Sequence, residues 1–139
     1  MNGIAHLAVT VKDMQKSLDF YTNALGLKKV FDIPHPKTGK PWIEYLYLAG
    51  RNFIELFYDG SRDNPWEPSL RGFNHICLEV DDINKAVEKI REAGYKMDVE
   101  PNKGVDLNWQ AWITDPDGIR IELMQIDPNS PHAKVISGN

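Results

Sequence analysis

The chain has 139 residues and a formal net charge of −4 at pH 7, with 42% hydrophobic and 26% charged residues. This composition is typical of a folded globular protein and not of a disordered one. The acidic balance argues against a nucleic-acid partner, which would require a basic face for phosphate contacts. No apolar run is long enough to span a bilayer, no secretion signal follows Met1, and the single cysteine, Cys77, excludes an internal disulfide. We therefore expect a cytoplasmic protein with no membrane partner.

The sequence contains an internal repeat. Residues 3–16 read GIAHLAVTVKDMQK and residues 72–85 read GFNHICLEVDDINK, with one offset for the glycines (72 − 3 = 69) and the histidines (75 − 6 = 69). Residues 53–56 are similar to residues 120–123, here at an offset of 122 − 55 = 67. A loop can accommodate the difference between the two offsets. The repeat predicts one domain, residues 1–139, built from two modules at about 1–58 and 72–126.

The first module begins with a strand over residues 3–11, where apolar and polar positions alternate. Asp13 is predicted to cap an amphipathic helix that ends at Gly26. Strands are predicted near 27–33, 42–49 and 52–58, with a proline- and glycine-rich loop at 34–41.

The second module repeats this order, with a strand over 72–80 and a helix from Asp82 to Gly94. Strands are predicted near 95–99, 109–114 and 119–126, the last two joined by a tight turn at 115–118. Each half therefore reads β-α-β-β-β, which predicts an α+β fold of tandem βαβββ modules forming a curved mixed sheet with the helices on one side. The linker 59–71 is expected to pack through Trp66, and the polar tail from Asp127 is expected to be poorly ordered without a partner.

Strand parity places four candidate functional residues on the sheet face away from the helices. Residues two apart in a strand share a face, so the apolar residues beside them mark the face that packs against the helices. By this criterion His6, Glu55, His75 and Glu122 all point to the opposite face.

Taken singly, a histidine or glutamate on a strand is more often a hydrogen-bonded or solvated residue than a metal ligand. The matched positions of these four residues in a repeat favour a shared role. Two imidazoles and two carboxylates that converge in a concavity would suit an octahedral divalent metal ion, with two positions left for water or substrate.

The sequence resembles the vicinal oxygen chelate superfamily, which includes glyoxalase I, bleomycin-resistance proteins and dioxygenases. The resemblance runs from Gly3 to about Ile126 and rests on H-x-x-x-x-V in each half and on D-P-D-G-x-x-I-E-L, which contains Glu122. It implies paired βαβββ modules around a concave site for a divalent metal ion (nickel, zinc, cobalt, manganese or iron). The ligand set His6, Glu55, His75 and Glu122 is most similar to that of glyoxalase I-like enzymes.

This resemblance implies a lyase or isomerase that converts a hemithioacetal, formed from a 2-oxoaldehyde and a thiol, into a thioester of a 2-hydroxy acid. Glu122 is implied as the catalytic base, with Glu55 as its partner. Glutathione-using members usually have arginine where this chain has Thr10 and asparagine where it has Asp59. We therefore expect a small-molecule substrate other than the glutathione adduct.

Three alternatives stay open at this stage. A metal-dependent epimerase proceeds through a similar enolate, although epimerases of this superfamily typically have glutamine at the place of Glu55. A bleomycin-resistance-type protein would sequester a drug without metal or catalysis, and a structural or regulatory role is the third alternative. A homodimer is predicted, and the four ligands would come either from the two modules of one chain or from modules exchanged between two chains.

Three further residues have two interpretations each. Trp112 and Phe53 would either line a substrate pocket or pack in the core. Arg120 would either bind a substrate carboxylate or phosphate or form a surface salt bridge.

Overall fold

The computed structural model describes residues 3–69 and 71–138 and divides between Asn64 and Pro65 into two compact units. Leu70, which belongs to the predicted linker, and residues 1, 2 and 139 lie outside the described residues. Within the described ranges, none of the helices has the length and apolar character needed to cross a membrane.

The first unit contains one four-stranded mixed sheet and one helical segment. Its elements are β1 (His6–Thr10), α1 (Met14–Asp19) with a π-helical continuation (Phe20–Ala24), β2 (Lys28–Pro34), β3 (Pro41–Ala49) and β4 (Asn52–Phe57). The strand order is β1-β4-β3-β2, with β1 parallel to β4 and the other pairs antiparallel.

The second unit repeats this topology. Its elements are β5 (Ile76–Glu79), α2 (Ile83–Glu92), β6 (Val99–Lys103), β7 (Trp109–Thr114), β8 (Arg120–Gln125) and α3 (Pro131–Ile136). The strand order is β5-β8-β7-β6, again with the outer first strand parallel to the last strand of the repeat. The predicted α+β class and the β-α-β-β-β order of each half are confirmed.

Burial along the strands follows the predicted alternation. In the first unit Val9, Ile54 and Leu56 are buried, whereas His6, Ala8 and Thr10 are exposed. In the second unit the buried apolar strand residues are Ile76, Leu78, Ala111, Ile113, Ile121 and Leu123. Helix α2 packs against β6, β7 and β8, and Gln125 of β8 accepts a hydrogen bond from the backbone N–H of Ile83 at 2.9 Å. We call the opposite face of each sheet its site face.

The first helix contains an extra residue that the sequence analysis did not anticipate. Asp13 caps α1 as predicted, accepting from the Lys16 N–H at 3.2 Å, but the helix then widens and Leu25 N–H donates to the Phe20 carbonyl at 3.2 Å. The spacing from capping aspartate to terminal glycine is 26 − 13 = 13 here and 94 − 82 = 12 in the second unit. A π-helical turn accommodates one additional residue, so it accounts for part of the difference in length between the two repeats.

Strand β6 starts later than predicted, and the expected strand at 95–99 is wrong. Gly94 adopts a left-handed φ of 88°, and the Tyr95 N–H donates to the Ile90 carbonyl at 3.2 Å, so the chain is still closing the helix at residue 95. Pairing with β7 begins where the Asp98 N–H reaches the Trp112 carbonyl at 2.8 Å. Pro101 is tolerated within β6 because this strand lies at the edge of its sheet.

The prediction of a poorly ordered tail is also wrong, because the tail folds back and forms α3. Ser130 caps this helix, accepting from the Ala133 N–H at 3.1 Å. The buried Asn108 holds the approach to the helix: its Oδ1 accepts from the Asp127 N–H at 3.0 Å, and its Nδ2 donates to His132 Nδ1 at 2.9 Å. The polar composition of the tail did not indicate that the buried side chain of Asn108 holds it.

Candidate functional site

The first unit brings His6 and Glu55 together on its site face. Ala8 of β1 is the direct partner of Glu55 on the parallel strand β4, so His6 lies two residues from that pairing. Its Nδ1 is 3.5 Å from Glu55 Oε1, with the histidine side chain 51% exposed and the glutamate side chain 7% exposed. A buried carboxylate thus lies beside an accessible imidazole.

Tyr45 is a further member of this group that the sequence analysis missed. It is the cross-strand partner of Glu55 on β3, and a hydrogen bond to the Glu55 carboxylate, together with partial desolvation and the carboxylate charge, raises the Tyr45 pKa. The hydroxyl donates to the carboxylate and helps to fix its orientation. Tyr45 is identified only by the register between β3 and β4, and a single sequence does not show which residues of two strands face each other.

The second unit brings His75 and Glu122 together in the same way. Cys77 pairs with Glu122 on the parallel strands β5 and β8, so His75 again lies two residues before the partner of the glutamate. His75 Nε2 is 3.1 Å from Glu122 Oε2, and the side chains are 31% and 9% exposed. The predicted site-face placement of all four residues agrees with their positions.

The tautomer of His75 is relevant to metal binding. Its Nδ1 is 2.7 Å from the side-chain oxygen of Asn74, which can only accept, so Nδ1 donates. In the neutral ring Nε2 then presents a lone pair toward the Glu122 carboxylate. Two lone-pair donors that face each other are suited to share a cation or a proton, and a hydrogen bond at the far ring nitrogen is typical of ligating histidines.

Trp112 lies on the same face, directly across from Glu122 on β7. Its ring contacts His75 edge-on, with 4.8 Å between the ring centroids. The guanidinium carbon of Arg120 is 4.6 Å from the Trp112 ring and 4.0 Å from the Trp66 ring. The prediction that the linker packs through Trp66 is therefore confirmed. No ion pair to Arg120 occurs among residues 3–69 and 71–138, so the salt-bridge interpretation is wrong for this part of the chain.

Phe53 is part of an aromatic group on the site face of the first unit. It is the register partner of His6, and its ring lies 5.7 Å from Tyr47 and 6.4 Å from Tyr45. Phe31 stacks on Tyr45 with 4.3 Å between centroids and is 47% exposed. Phe53 therefore belongs to a partly exposed aromatic surface and not to the buried core.

Cys77 has the properties of a protonated thiol. Desolvation, followed by the charge and hydrogen bond of the neighbouring Glu122 carboxylate, raises its pKa to about 12. A thiol with this pKa carries almost no thiolate at neutral pH and is therefore a poor nucleophile.

The four candidate ligands are grouped as two pairs. Among the residues that the structure describes, no group of three or more His, Cys, Asp or Glu side chains is positioned to hold a metal ion. Each pair combines one imidazole with one buried carboxylate, which are donor types that divalent first-row metals accept. The donor chemistry of each pair therefore fits a divalent ion.

With this geometry established, comparison with known proteins shows the family. The sequence profile of the Glyoxalase/Bleomycin resistance protein/Dioxygenase superfamily matches residues 3–123. The chain belongs to this superfamily. The match includes both His/Glu pairs and all eight strands except the last two residues of β8.

Several relatives of this superfamily member are enzymes by name. It is 35% identical over 126 residues to a lactoylglutathione lyase of Escherichia coli O157:H7, a match that covers 88% of this chain and 91% of that protein. It is 35% identical over 127 residues to a probable chloroplastic lactoylglutathione lyase of Arabidopsis thaliana, of whose length the chain spans only 35%. A human mitochondrial methylmalonyl-CoA epimerase is 35% identical over 93 residues, covering 63% of this chain and 51% of that protein.

Solved structures agree with the fold. A glyoxalase family protein from Enterococcus faecalis superimposes with a TM-score of 0.74 at 22% identity, covering 88% of this chain and 97% of that one. An antibiotic binding protein from a Streptomyces species superimposes with a TM-score of 0.68 at 25% identity, covering 91% and 98%. A protein named for antibiotic binding and a protein of the glyoxalase family thus share the fold of this chain.

Proposed function

We propose that this chain is a metal-dependent, glyoxalase I-like lyase or isomerase that acts on a small hemithioacetal or related 2-oxo substrate. One observation carries the proposal: each unit holds a histidine beside a buried glutamate, at the same position relative to its parallel strand pair. A binding protein without metal has no need of two such pairs. The relatives named lactoylglutathione lyase support the same reaction class.

The proposed metal ligands are His6, Glu55, His75 and Glu122. Nickel, zinc, cobalt, manganese and iron all accept this combination of imidazole and carboxylate. When bound, the divalent ion would supply Lewis-acid polarisation of the substrate oxygens. The two pairs would come from both modules of one chain or from two chains of a homodimer. A cytoplasmic location stays a prediction from the sequence.

Glu122 is the proposed catalytic base. Its carboxylate would remove the proton from the carbon that bears the thiol and return it to the neighbouring carbon, which moves the oxidation level from aldehyde to thioester without an external oxidant. Glu55 is its proposed partner in the first unit, held by the Tyr45 hydroxyl. The Trp112 ring beside His75 would limit access of water to the reacting carbons.

The identity of the thiol is a separate part of the proposal. The names of the relatives point to a glutathione adduct, but Thr10 and Asp59 stand at the two positions where glutathione-using members carry arginine and asparagine. Thr10 is exposed on the site face of β1, and Asp59 follows β4 with a left-handed φ of 69°. A carboxylate at Asp59 disfavours an anionic tripeptide, so we propose a different thiol.

The proposal is tested by assaying isomerisation of methylglyoxal hemithioacetals formed with glutathione, coenzyme A and cysteine. Metal-loaded protein is expected to convert at least one adduct, and Glu122→Gln is expected to reduce the rate by about 10²–10⁴-fold. Glu88→Gln, which changes an exposed glutamate of α2, is the matched control and retains full activity. Equal activity of the Glu122→Gln variant would exclude this residue as the base.

Drug sequestration is the second candidate function, and the aromatic surface of the first unit is the observation that favours it. Phe31 is stacked on Tyr45 and is 47% exposed, as expected of a platform for a flat ligand. A protein of the same fold from Streptomyces binds an antibiotic by name. This function predicts ligand binding that is independent of added metal. An epimerase is the third candidate, supported by the human relative and tested with the same metal-loaded protein on an epimerisable thioester.

The proposed homodimer is tested by sedimentation with and without metal. A dimer that binds one ion per chain agrees with sites completed between chains. A monomer that binds metal with full stoichiometry would show instead that both pairs come from one chain.

A further inference from the structure

Arg120 lies on the site face of the second unit, where its guanidinium group contacts two tryptophan rings. Its guanidinium carbon lies 4.0 Å from the Trp66 ring and 4.6 Å from the Trp112 ring, and no carboxylate within the described residues forms an ion pair with it. Thr114, the cross-strand partner of Arg120, donates its hydroxyl hydrogen to the Asp98 carboxylate at 2.7 Å. The cation therefore has a fixed position and retains capacity for an anion.

The aromatic contacts prepare this side chain for a ligand. A guanidinium over aromatic rings keeps its N–H donors in its own plane, where they can meet an oxyanion. Because the rings restrict the side chain, less conformational freedom is lost when an anion binds. Arg120 is half-buried and not fully solvated, which strengthens its interaction with a negative charge.

The location connects Arg120 to the proposed reaction site. It lies two residues before Glu122 on β8, so the two side chains share a face with about 7 Å between their Cα atoms. The Trp112 ring that contacts Arg120 also contacts His75 edge-on. Arg120, Trp112, His75 and Glu122 thus form one continuous group on the second unit.

We infer that Arg120 binds a carboxylate group of the substrate and holds its reactive carbons against the His75/Glu122 pair. A single planar fork matches one planar carboxylate through two parallel hydrogen bonds. Phosphate sites are often formed at the N-terminus of a helix, whereas Arg120 lies at the start of a strand, β8. The inference rests on the proposed function for the reaction, and it narrows the substrate to small molecules that carry a carboxylate.

The test is a titration of the metal-free, ¹⁵N-labelled full chain, followed by the indole N–H signals of Trp66 and Trp112. Glutarate is the anionic probe, glutaramide is its uncharged analogue, and inorganic phosphate is the competing oxyanion. Saturable shifts with glutarate but not with glutaramide are expected. Arg120→Met is expected to weaken glutarate binding at least tenfold, whereas Arg51→Met, which changes an exposed arginine in the other unit, leaves it unchanged.

Several results would overturn the inference. Equal shifts with glutarate and glutaramide would show that charge is not recognised, and unchanged binding by Arg120→Met would exclude this arginine. Tighter binding of phosphate than of glutarate would overturn the carboxylate assignment. Arg120→Lys keeps the charge but loses the planar fork, and it is expected to bind glutarate weakly but measurably, which covers the case that Arg120→Met does not fold.

Metal uptake, measured on separate portions of the same proteins after incubation with divalent metal ions, separates this inference from the proposed function. Bound metal without glutarate binding overturns only the role of Arg120. Glutarate binding in a protein that takes up no metal supports the anion contact and contradicts the metal-dependent reaction.

Discussion

His75 lies diagonally across from Glu122, two residues before the strand partner of that glutamate, and its Nε2 is 3.1 Å from the carboxylate. His6 has the same relation to Glu55, at 3.5 Å. The repeat therefore conserves a three-dimensional relationship and not only residue types, despite sequence offsets of 75 − 6 = 69 and 122 − 55 = 67. A π-helical turn in the first helix contributes to this difference without disturbing the strand register.

Replacing Tyr45 by phenylalanine is expected to weaken metal binding. The change removes the hydroxyl that hydrogen-bonds to Glu55 while keeping the ring that stacks on Phe31. Loss of a hydrogen bond to a ligating carboxylate typically weakens metal affinity about 10–100-fold. Titration of nickel or zinc into metal-free protein measures the effect. Tyr47→Phe, which removes a hydroxyl that reaches the Gly50 carbonyl, serves as the control and should bind normally.

Replacing Asn108 by alanine is expected to release the tail that carries α3. The variant loses the acceptor of the Asp127 N–H and the donor to His132, both within a buried site. Leaving such groups unsatisfied typically costs about 1–3 kcal/mol of unfolding free energy. Urea unfolding and limited proteolysis of the tail measure the loss, with the exposed Asn84→Ala as the control. Unchanged proteolysis would show that other contacts hold α3.

Tyr58 is expected to make the protein sensitive to alkaline pH. Burial, the hydrogen bond to Glu44 and the charges of Glu44 and Asp32 raise its pKa from 10.0 to about 12. Because the folded state holds the proton more tightly than the unfolded state, this stabilisation is present below pH 10 and is lost as the pH rises toward 12. The unfolding free energy of Tyr58→Phe should therefore fall less steeply over this range than that of the wild type.

The sequence predicted the repeat, the strand faces and the four candidate ligands because each depends on patterns along the chain. The alternation that exposes Ala8 and buries Val9 is visible in consecutive residues. Tyr45 was not found because its contact with Glu55 depends on the register between two strands. The tail was missed for a similar reason, since its anchor, Asn108, lies on a different segment and carries no local helix signal.

Two further features of the structure differ from what the sequence predicted. The predicted strand at 95–99 fails because the hydrogen bond from Tyr95 to Ile90 extends the helix end beyond Gly94. Arg120 was assigned two possible roles from sequence, and neither of them anticipated its contacts with Trp66 and Trp112. The helix end depends on a local hydrogen bond, whereas the Arg120 contacts depend on the linker and on a neighbouring strand.

Metal content per chain, by elemental analysis, tests the central claim most directly. The samples are wild type, Glu55→Gln, Glu122→Gln and the exposed control Glu88→Gln, each incubated with nickel, zinc, cobalt, manganese or iron and then desalted. About one divalent ion per chain is expected in wild type and Glu88→Gln, and clearly less in both site variants, because the four proposed ligands would bind one ion. A wild-type protein that retains none of these metals would contradict the metal-dependent function and favour ligand sequestration.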